Sequence, residues 1–280
     1  MYGKLMNEAL KSIIDNKNAL FKALLIPTLV LVGIDIFLPS SFLSNGEKID
    51  FEDNKFIFSS FIILSIILNI VMAVSVHRII LIKDDISSLE AIMPTQTLLK
   101  FFLKSVWIGL LTGLIFGILI AIFLLISIVT EQFTQNKFLV GIISYFLSAL
   151  LTMIAFSRFS MVLPATAIDE KMSLLDALAF TKHYKLLSLF MVTIFPTIIA
   201  ILIALVYGLI IGFLTGVVSS HLSILYVFLN VFITVLVISC LSVTYSYIKN
   251  EINEKSLKDK YIKQSIKECR IKNNFNLKKS

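Results

Sequence analysis

The sequence has little charge for its length. Charged residues make up 15% of the 280 residues and hydrophobic residues make up 58%, against about 25% and about 45–50% in soluble domains. A soluble domain could not cover so much apolar surface with so few charged side chains. The composition therefore excludes an ordinary soluble fold.

Cysteine and histidine are also scarce, and the sequence gives little sign of catalytic chemistry. Cys240 lies in a hydrophobic run and Cys269 in the C-terminal segment, so we expect no structural disulfide. The three histidines, His77, His183 and His221, are spread over both expected membrane faces and could not share a metal ion. There is no GxSxG, HExxH or GxxxxGK[ST] motif. We therefore expect no metal, no cofactor and no enzymatic activity.

Long hydrophobic runs occupy most of the chain. Each is long enough to cross a hydrocarbon core of about 30 Å at ~1.5 Å per residue. The runs are continuously apolar, whereas the strands of a membrane barrel alternate polar and apolar residues. The sequence therefore predicts an all-α polytopic membrane protein. Its six transmembrane helices are expected at residues 19–39, 56–81, 103–130, 138–163, 187–217 and 222–248.

Basic residues are distributed unequally between the segments that join these runs. If the N-terminus is cytoplasmic, all but three of the 25 Lys and Arg residues lie on the cytoplasmic side, and the exceptions are Lys48, Lys55 and Lys137. The positive-inside rule then predicts that both termini are cytoplasmic. Residues 1–18 do not have the pattern of a signal peptide, because no cleavage site follows the first apolar run.

The chain divides into three parts by composition. Residues 1–18 form an apolar stripe at helical spacing and are predicted to be an amphipathic helix at the cytoplasmic interface. Residues 19–248 form the membrane domain. Residues 249–280 carry ten Lys or Arg against four Asp or Glu, and we expect this tail to contact the anionic inner surface or an acidic partner. No nucleic acid partner is expected.

Two of the cytoplasmic segments resemble each other. Residues 87–92 and 173–178 share an SxL[ED]A[IL] pattern, which predicts a short helix that begins with a capping box. Each follows a span with an arginine near its inner end, Arg78 or Arg158. These shared features lead to the hypothesis that spans two and three, and spans four and five, are parallel copies of one helix-loop-helix unit. Two facts argue against this hypothesis. The distance from arginine to capping serine is longer in the second segment, and the regularly spaced glycines lie in the inner half of span three but in the outer half of span five.

Glycines occur at four-residue spacing in spans three and five. Such a ladder makes a smooth helix face on which a neighbouring backbone can pack closely. We favour packing within one chain, and a homodimer seam or a groove for lipid are the alternatives. The glycines concerned are Gly109, Gly113, Gly117, Gly208, Gly212 and Gly216.

Few polar residues lie inside the spans. Asp35 is expected near the outer headgroups, and Asn69 and Asn230 near the middle of the membrane. Asparagine in a membrane more often bonds a neighbouring helix than binds a substrate. A cavity that reaches the middle of the membrane beside Asn69 would favour transport, and a solid bundle would favour a scaffold.

One longer motif resembles a known family. Residues 158–169 read RxSxxxPAxAxD and are followed by Ser173, Ala177 and Thr181. This is similar to the signature of bacterial multi-pass membrane proteins that include YciC-like proteins and the membrane domain of some glycerophosphodiester phosphodiesterases. Residues 73–81 are similar to their VHRxxL segment. The resemblance implies a six-helix protein of the bacterial inner membrane without a catalytic domain.

The same motif places charge at the inner leaflet. Arg78 and Arg158 are predicted to contact a lipid phosphate or an acidic loop residue such as Asp84, Asp85, Asp169 or Glu170. Simple anchoring by positive charge is the alternative. Pro164 is predicted to end or bend span four, because proline lacks a backbone donor.

The functional prediction is correspondingly general. We expect a non-enzymatic scaffold or accessory factor in envelope or lipid homeostasis that contacts anionic lipids at the cytoplasmic face. A homodimer or a membrane-protein partner fits this interpretation. The alternative is a permease or lipid transporter with a polar cavity at the middle of the membrane.

Overall fold

Every secondary-structure element that the structure describes is a helix. The computed structural model describes residues 1–37, 51–93, 95–130 and 137–277. We number the α-helices in chain order. They are α1 (Tyr2–Asp15), α2 (Lys17–Phe37), α3 (Phe51–Ile82), α4 (Ser88–Ile92), α5 (Gln96–Thr130), α6 (Lys137–Phe159), α7 (Val162–Ala167), α8 (Leu174–Phe180), α9 (Lys185–Leu189), α10 (Phe195–Val217) and α11 (Leu225–Leu277).

Six helical segments are long and apolar enough to cross a membrane, which confirms the predicted all-α polytopic fold. They are Lys17–Ile36, Ser59–Ile82, Gln96–Ile126, Gly141–Ala167, Lys185–Val217 and His221–Lys258. The loop residue Lys48, which the orientation argument uses, lies outside the described residues.

The spans form one bundle in which α3 and α11 pack against each other. Helix α3 also contacts α2 and α5, and α11 also contacts α2 and α10. The short helices α1, α4, α7 and α8 lie at one end of the bundle, which we call the basic face. The largest buried cluster lies near this face and includes Met161, Met191 and Cys240.

Helix α1 packs along α11 by its apolar stripe. Leu5 and Ala9 are 1% and 0% exposed, and both belong to the large buried cluster. Ile14, at the end of the same stripe, is 64% exposed. Helix α11 continues from its membrane span through the predicted boundary at residue 249 without a break, so the described part of the basic segment extends the last span.

Proline residues accompany irregular backbone in two spans. In the fifth span, a π-helical segment, Phe190–Ile194, separates α9 from α10, and Pro196 lies in the first turn of α10. Proline lacks the N–H that a continuous helix would need, and a π-turn accommodates such a defect. In the fourth span, α6 ends at Phe159, before Pro164, which lies in the first turn of α7. The regular helix therefore breaks shortly before Pro164, and the span itself continues through α7 to Ala167.

Both predicted capping boxes are present, and the segments before them match. Ser87 and Ser173 each exchange hydrogen bonds with the acidic residue three positions later. At the same distance before each serine, Lys83 and Asp169 adopt positive φ values of 54° and 61°. The six-residue helix α7 accounts for the greater distance between Arg158 and its capping serine. The spacing objection is thereby removed, and the repeat itself stays a hypothesis.

The glycine ladders face open space in the single chain. A Cβ added at any glycine of either ladder would meet no atom of the described residues within 4 Å, leaving out its chain neighbours and its own helix backbone. The described residues therefore show no close packing of another helix on these glycine faces, and packing within one chain stays a prediction that the structure does not support. Regular spacing predicts a smooth face, but it does not predict whether another helix of the same chain covers that face. The homodimer seam and the lipid groove stay as the alternatives.

Candidate functional site

Arg78 is paired with two carboxylates at the end of α3. Its Nε and Nη2 atoms donate to Asp84 Oδ2 at 3.0 and 2.9 Å. Its Nη1 atom donates to Asp169 Oδ2 at 3.4 Å. They are two of the four acidic loop residues that the sequence suggested as partners; Asp85 pairs with Lys22 and Glu170 with Lys249 instead. The charge of Arg78 is therefore balanced within the chain.

Arg158 has a different set of partners. Its Nη2 atom donates to the carbonyl oxygen of Leu178 at 2.6 Å, and its Nε atom donates to Thr181 Oγ1 at 3.0 Å. The last carbonyls of a helix have no partner within it and carry partial negative charge. Arg158 therefore holds the C-terminal end of α8. The structure does not bring the two arginines to one shared site.

The segment 162–172 receives side chains from helix α5. Thr97 Oγ1 donates to Asp169 Oδ1 at 2.6 Å. Lys104 Nζ donates to Thr166 Oγ1 and to the carbonyl oxygen of Met172, both at 3.0 Å. Asp169 thus joins α5 to Arg78 of α3, and the polar contacts fix this segment between the two spans.

Glu170 joins the same segment to helix α11. It accepts a hydrogen bond from Tyr245 Oη at 2.6 Å and forms an ion pair with Lys249. Burial raises the pKa of Glu170, but the hydrogen bonds from Lys249 and Tyr245 outweigh it and hold the pKa below its ordinary value. Phe180 of α8 stacks on the Tyr245 ring, with centroids 5.4 Å apart. Lys249 therefore belongs to this packed polar cluster and not to a separate tail.

A pocket of about 320 Å³ lies beside Arg78, between α3, α4 and α5. Its charged lining residues are Arg78, Asp84, Asp85 and Glu90, so carboxylates outnumber cations. Lys22 of α2 donates to Asp85 Oδ1 at 3.0 Å from outside this lining. The hydroxyl-bearing lining residues are Ser75, Thr95 and Thr97.

An apolar groove of about 450 Å³ adjoins this pocket along α3 and α5, and Thr95 and Leu98 line both. Along α3 the groove extends from Val71 to Ile63. At ~1.5 Å per residue, these positions lie about 10 and 22 Å along the helix from Arg78. The groove is thus about 12 Å long on α3, which is comparable to one leaflet, about 15 Å, of a hydrocarbon core of about 30 Å. The groove is lined by Ile63, Ile66, Ile67, Ile70, Val71, Ile92, Thr95, Leu98, Leu99 and Phe102.

A second cavity, of about 370 Å³, lies between α2, α3 and α11. It brings together Asp35, Asn69 and Asn230, the polar residues that the sequence analysis singled out inside the spans, and Ser65 lines it as well. The Nδ2 atom of Asn69 donates to the carbonyl oxygen of Ser65 in its own helix at 2.8 Å. Apolar residues pack between the same helices on the side toward the basic face. They include Leu20, Leu24, Met72, Val76, Val235 and Ile238.

A buried pair joins α3 to α11 next to Arg78. His77 Nδ1 lies 2.7 Å from Ser242 Oγ, although the residues are 165 positions apart. The Ser242 hydroxyl donates its one proton to the carbonyl oxygen of Ile238 at 2.8 Å, so His77 Nδ1–H is the donor to Ser242. Sequence analysis missed this contact, because no local pattern links two residues so far apart.

Comparison of the chain with protein-family models, with curated proteins and with solved structures gives no match. The function is therefore argued from the geometry of the pocket, the groove and the cavity.

Proposed function

We propose that this integral membrane protein is a non-enzymatic lipid-handling or accessory factor that holds a membrane phospholipid at its basic face. The observation that carries the proposal is the continuity of a charged pocket with an apolar groove, through Thr95 and Leu98. A phospholipid has the same division, because a charged headgroup is joined to long apolar chains.

The depth of the site supports this proposal. Arg78 lies in the last turns of the second span, close to Lys83 and Asp84, where headgroups meet the hydrocarbon core. Along α3 the groove covers about 12 Å on the membrane side of that level, close to the thickness of one leaflet. The positive-inside rule makes the basic face cytoplasmic, in the inner membrane of a bacterium if the motif resemblance holds. The lipid would then belong to the inner leaflet.

The contacts around Arg78 modify the lipid contact that the sequence suggests. The sequence left open whether Arg78 contacts a lipid phosphate or an acidic loop residue, and Arg78 is paired with the carboxylates of Asp84 and Asp169. Arg158 is engaged with α8. The pocket, and not either arginine alone, is therefore the proposed headgroup site.

Native mass spectrometry of lipids that stay bound through a detergent wash tests the proposal. Ile67, in the groove wall, is 50% exposed, and a large side chain there should fill the groove. We expect Ile67→Trp to lose most of the lipid that wild type retains. Leu205→Trp is the matched control, because Leu205 is 58% exposed on α10 and does not line the groove. Equal retention in wild type and both variants would refute the proposal.

The cavity between α2, α3 and α11 favours a second candidate, a permease. It clusters Asp35, Asn69 and Asn230 in an otherwise largely apolar wall. A transporter should expose this cavity alternately to both sides of the membrane. A cysteine at position 69, in a background without Cys240 and Cys269, should then react with a membrane-impermeant thiol reagent from either side. Reaction from one side only would argue against transport.

A further inference from the structure

We infer that the pocket beside Arg78 selects a phospholipid whose headgroup carries an amine, with phosphatidylethanolamine as the simplest such lipid. The inference rests on the proposed function and specifies its ligand. It differs from the anionic lipid that the density of lysine and arginine at this face suggests.

The first argument is the charge of the pocket. Among the described residues, Arg78 is the only cation that lines it, against the carboxylates of Asp84, Asp85 and Glu90. Asp84 and Asp169 already balance the guanidinium charge of Arg78. A headgroup with a net negative charge would meet like charges at short range, which disfavours binding. A zwitterionic headgroup brings its own cation and avoids this repulsion.

The second argument is that Asp85 can exchange its partner. Its ion pair with Lys22 is open to solvent, with side chains 52% and 74% exposed for Lys22 and Asp85. Exposed pairs of this kind contribute little to stability. A lipid ammonium held in the pocket could therefore replace Lys22 at Asp85 without disturbing the fold. Glu90 lines the same pocket, and its carboxylate accepts hydrogen bonds from the Ser87 N–H and the Ser87 hydroxyl, which fix it at the start of α4.

The third argument is the order of groups along the site. A phosphate beside Arg78 would have the hydroxyls of Thr95 and Thr97 within the same pocket. The amine would be directed to Asp85 and Glu90, and the acyl chains would enter the groove past Leu98. Phosphate, amine and chain thus each meet lining residues of matching chemistry.

We call residues 83–87, before α4, the first linker and residues 169–173, before α8, the second linker. The second linker does not line the pocket beside Arg78, although its capping box is the same. When the capping serines are aligned, Lys171 stands where Asp85 stands in the first linker. Glu170, which aligns with Asp84, is occupied by Tyr245 and Lys249. The second linker therefore offers matched control positions that share local structure but not the pocket.

The test compares lipid binding to the full chain by native mass spectrometry. Purified protein is titrated with phosphatidylethanolamine, with phosphatidylglycerol and with N-acyl-phosphatidylethanolamine, which keeps the phosphate but lacks the ammonium. We expect phosphatidylethanolamine to bind about three- to five-fold more tightly than either of the others. This ratio of affinities corresponds to the small free energy that one or two solvent-exposed ion pairs contribute. The variant Asp85→Asn with Glu90→Gln should lose this preference. The control Asp176→Asn, at the equivalent capping position, should keep it.

Two further outcomes separate this inference from the proposal on which it rests. Equal or tighter binding of phosphatidylglycerol, with binding still lost in Ile67→Trp, would overturn the amine selectivity and leave the lipid site intact. Binding of every lipid that is unaffected by Ile67→Trp would overturn both. Asp84 is left unchanged in all variants, because its removal would unpair Arg78.

Discussion

Removal of the Arg158 guanidinium should loosen helix α8 without disturbing the spans. The variant Arg158→Met keeps the apolar stem but loses the donors to the Leu178 carbonyl oxygen and to Thr181 Oγ1. The substitution therefore isolates the contribution of two hydrogen bonds. Thr181 is fully buried and its hydroxyl donates to the Ala177 carbonyl oxygen, so the affected contacts lie at the packed end of the helix.

The expected size of the effect follows from these two bonds. A hydrogen bond to a charged group contributes about 1.5 to 3 kcal/mol, and Arg158 is only partly buried, so a total of about 2 kcal/mol is reasonable. Because ~1.4 kcal/mol corresponds to a factor of ten, amides of α8 should then exchange about 30-fold faster.

Hydrogen exchange followed by mass spectrometry of peptides covering residues 174–184 measures this change. Arg78→Met is the matched control, since Arg78 contacts Asp84 and Asp169 and makes no contact with α8 among its hydrogen bonds. It should speed exchange near residues 83–86 and leave α8 unchanged. Unchanged exchange of α8 in Arg158→Met, or equal acceleration in both variants, would refute the role of Arg158.

Three further predictions concern other parts of the structure. Because the pKa of Glu170 is lowered in the folded state, its carboxylate stabilises the protein fully above its ordinary pKa of 4.5, and this contribution is lost as the pH falls through the lowered value. The difference in thermal unfolding between wild type and Glu170→Gln should therefore shrink below that pH; a difference independent of pH would contradict the prediction. A Cβ added at Gly212 meets no atom within 4 Å outside its own helix backbone and chain neighbours, so the unfolding temperature of the Gly212→Ala monomer should hardly change, and a large decrease would contradict the open face. Loss of a dimer on light scattering in that variant would assign the face to a seam between copies. Ser87→Ala removes the cap of α4 and should cost about 1 kcal/mol locally, seen as faster exchange of residues 88–92; unchanged exchange would count against the capping role.

Features set by local sequence were predictable. The spans follow from uninterrupted apolar length, which depends only on composition and helix rise. The capping boxes follow from a serine and an acidic residue three positions apart, as at Ser87 and Ser173. The partner of Arg78 was also accessible, because Asp84 is only six positions away. In each case the information lies within one continuous stretch of the chain.

Features set by packing between distant elements were not predictable in the same way. The contacts of Glu170 with Tyr245 and Lys249 join positions 75 and 79 apart, and no local pattern connects them. The groove between α3 and α5 depends on how two spans diverge, which apolar composition does not encode. The neighbour of each glycine ladder was not predictable for the same reason, since spacing describes one helix face and not what covers it.

The central claim is that one phospholipid occupies the groove between α3 and α5, and photo-crosslinking tests it most directly. A phospholipid that carries a diazirine in its acyl chain is incorporated with the protein into bilayers, and the labelled peptides are mapped. The account predicts labelling concentrated at residues 63–71 and 98–102 and reduced by Ile67→Trp but not by Leu205→Trp. Labelling spread evenly over the apolar faces of all the spans, and unchanged in Ile67→Trp, would contradict it.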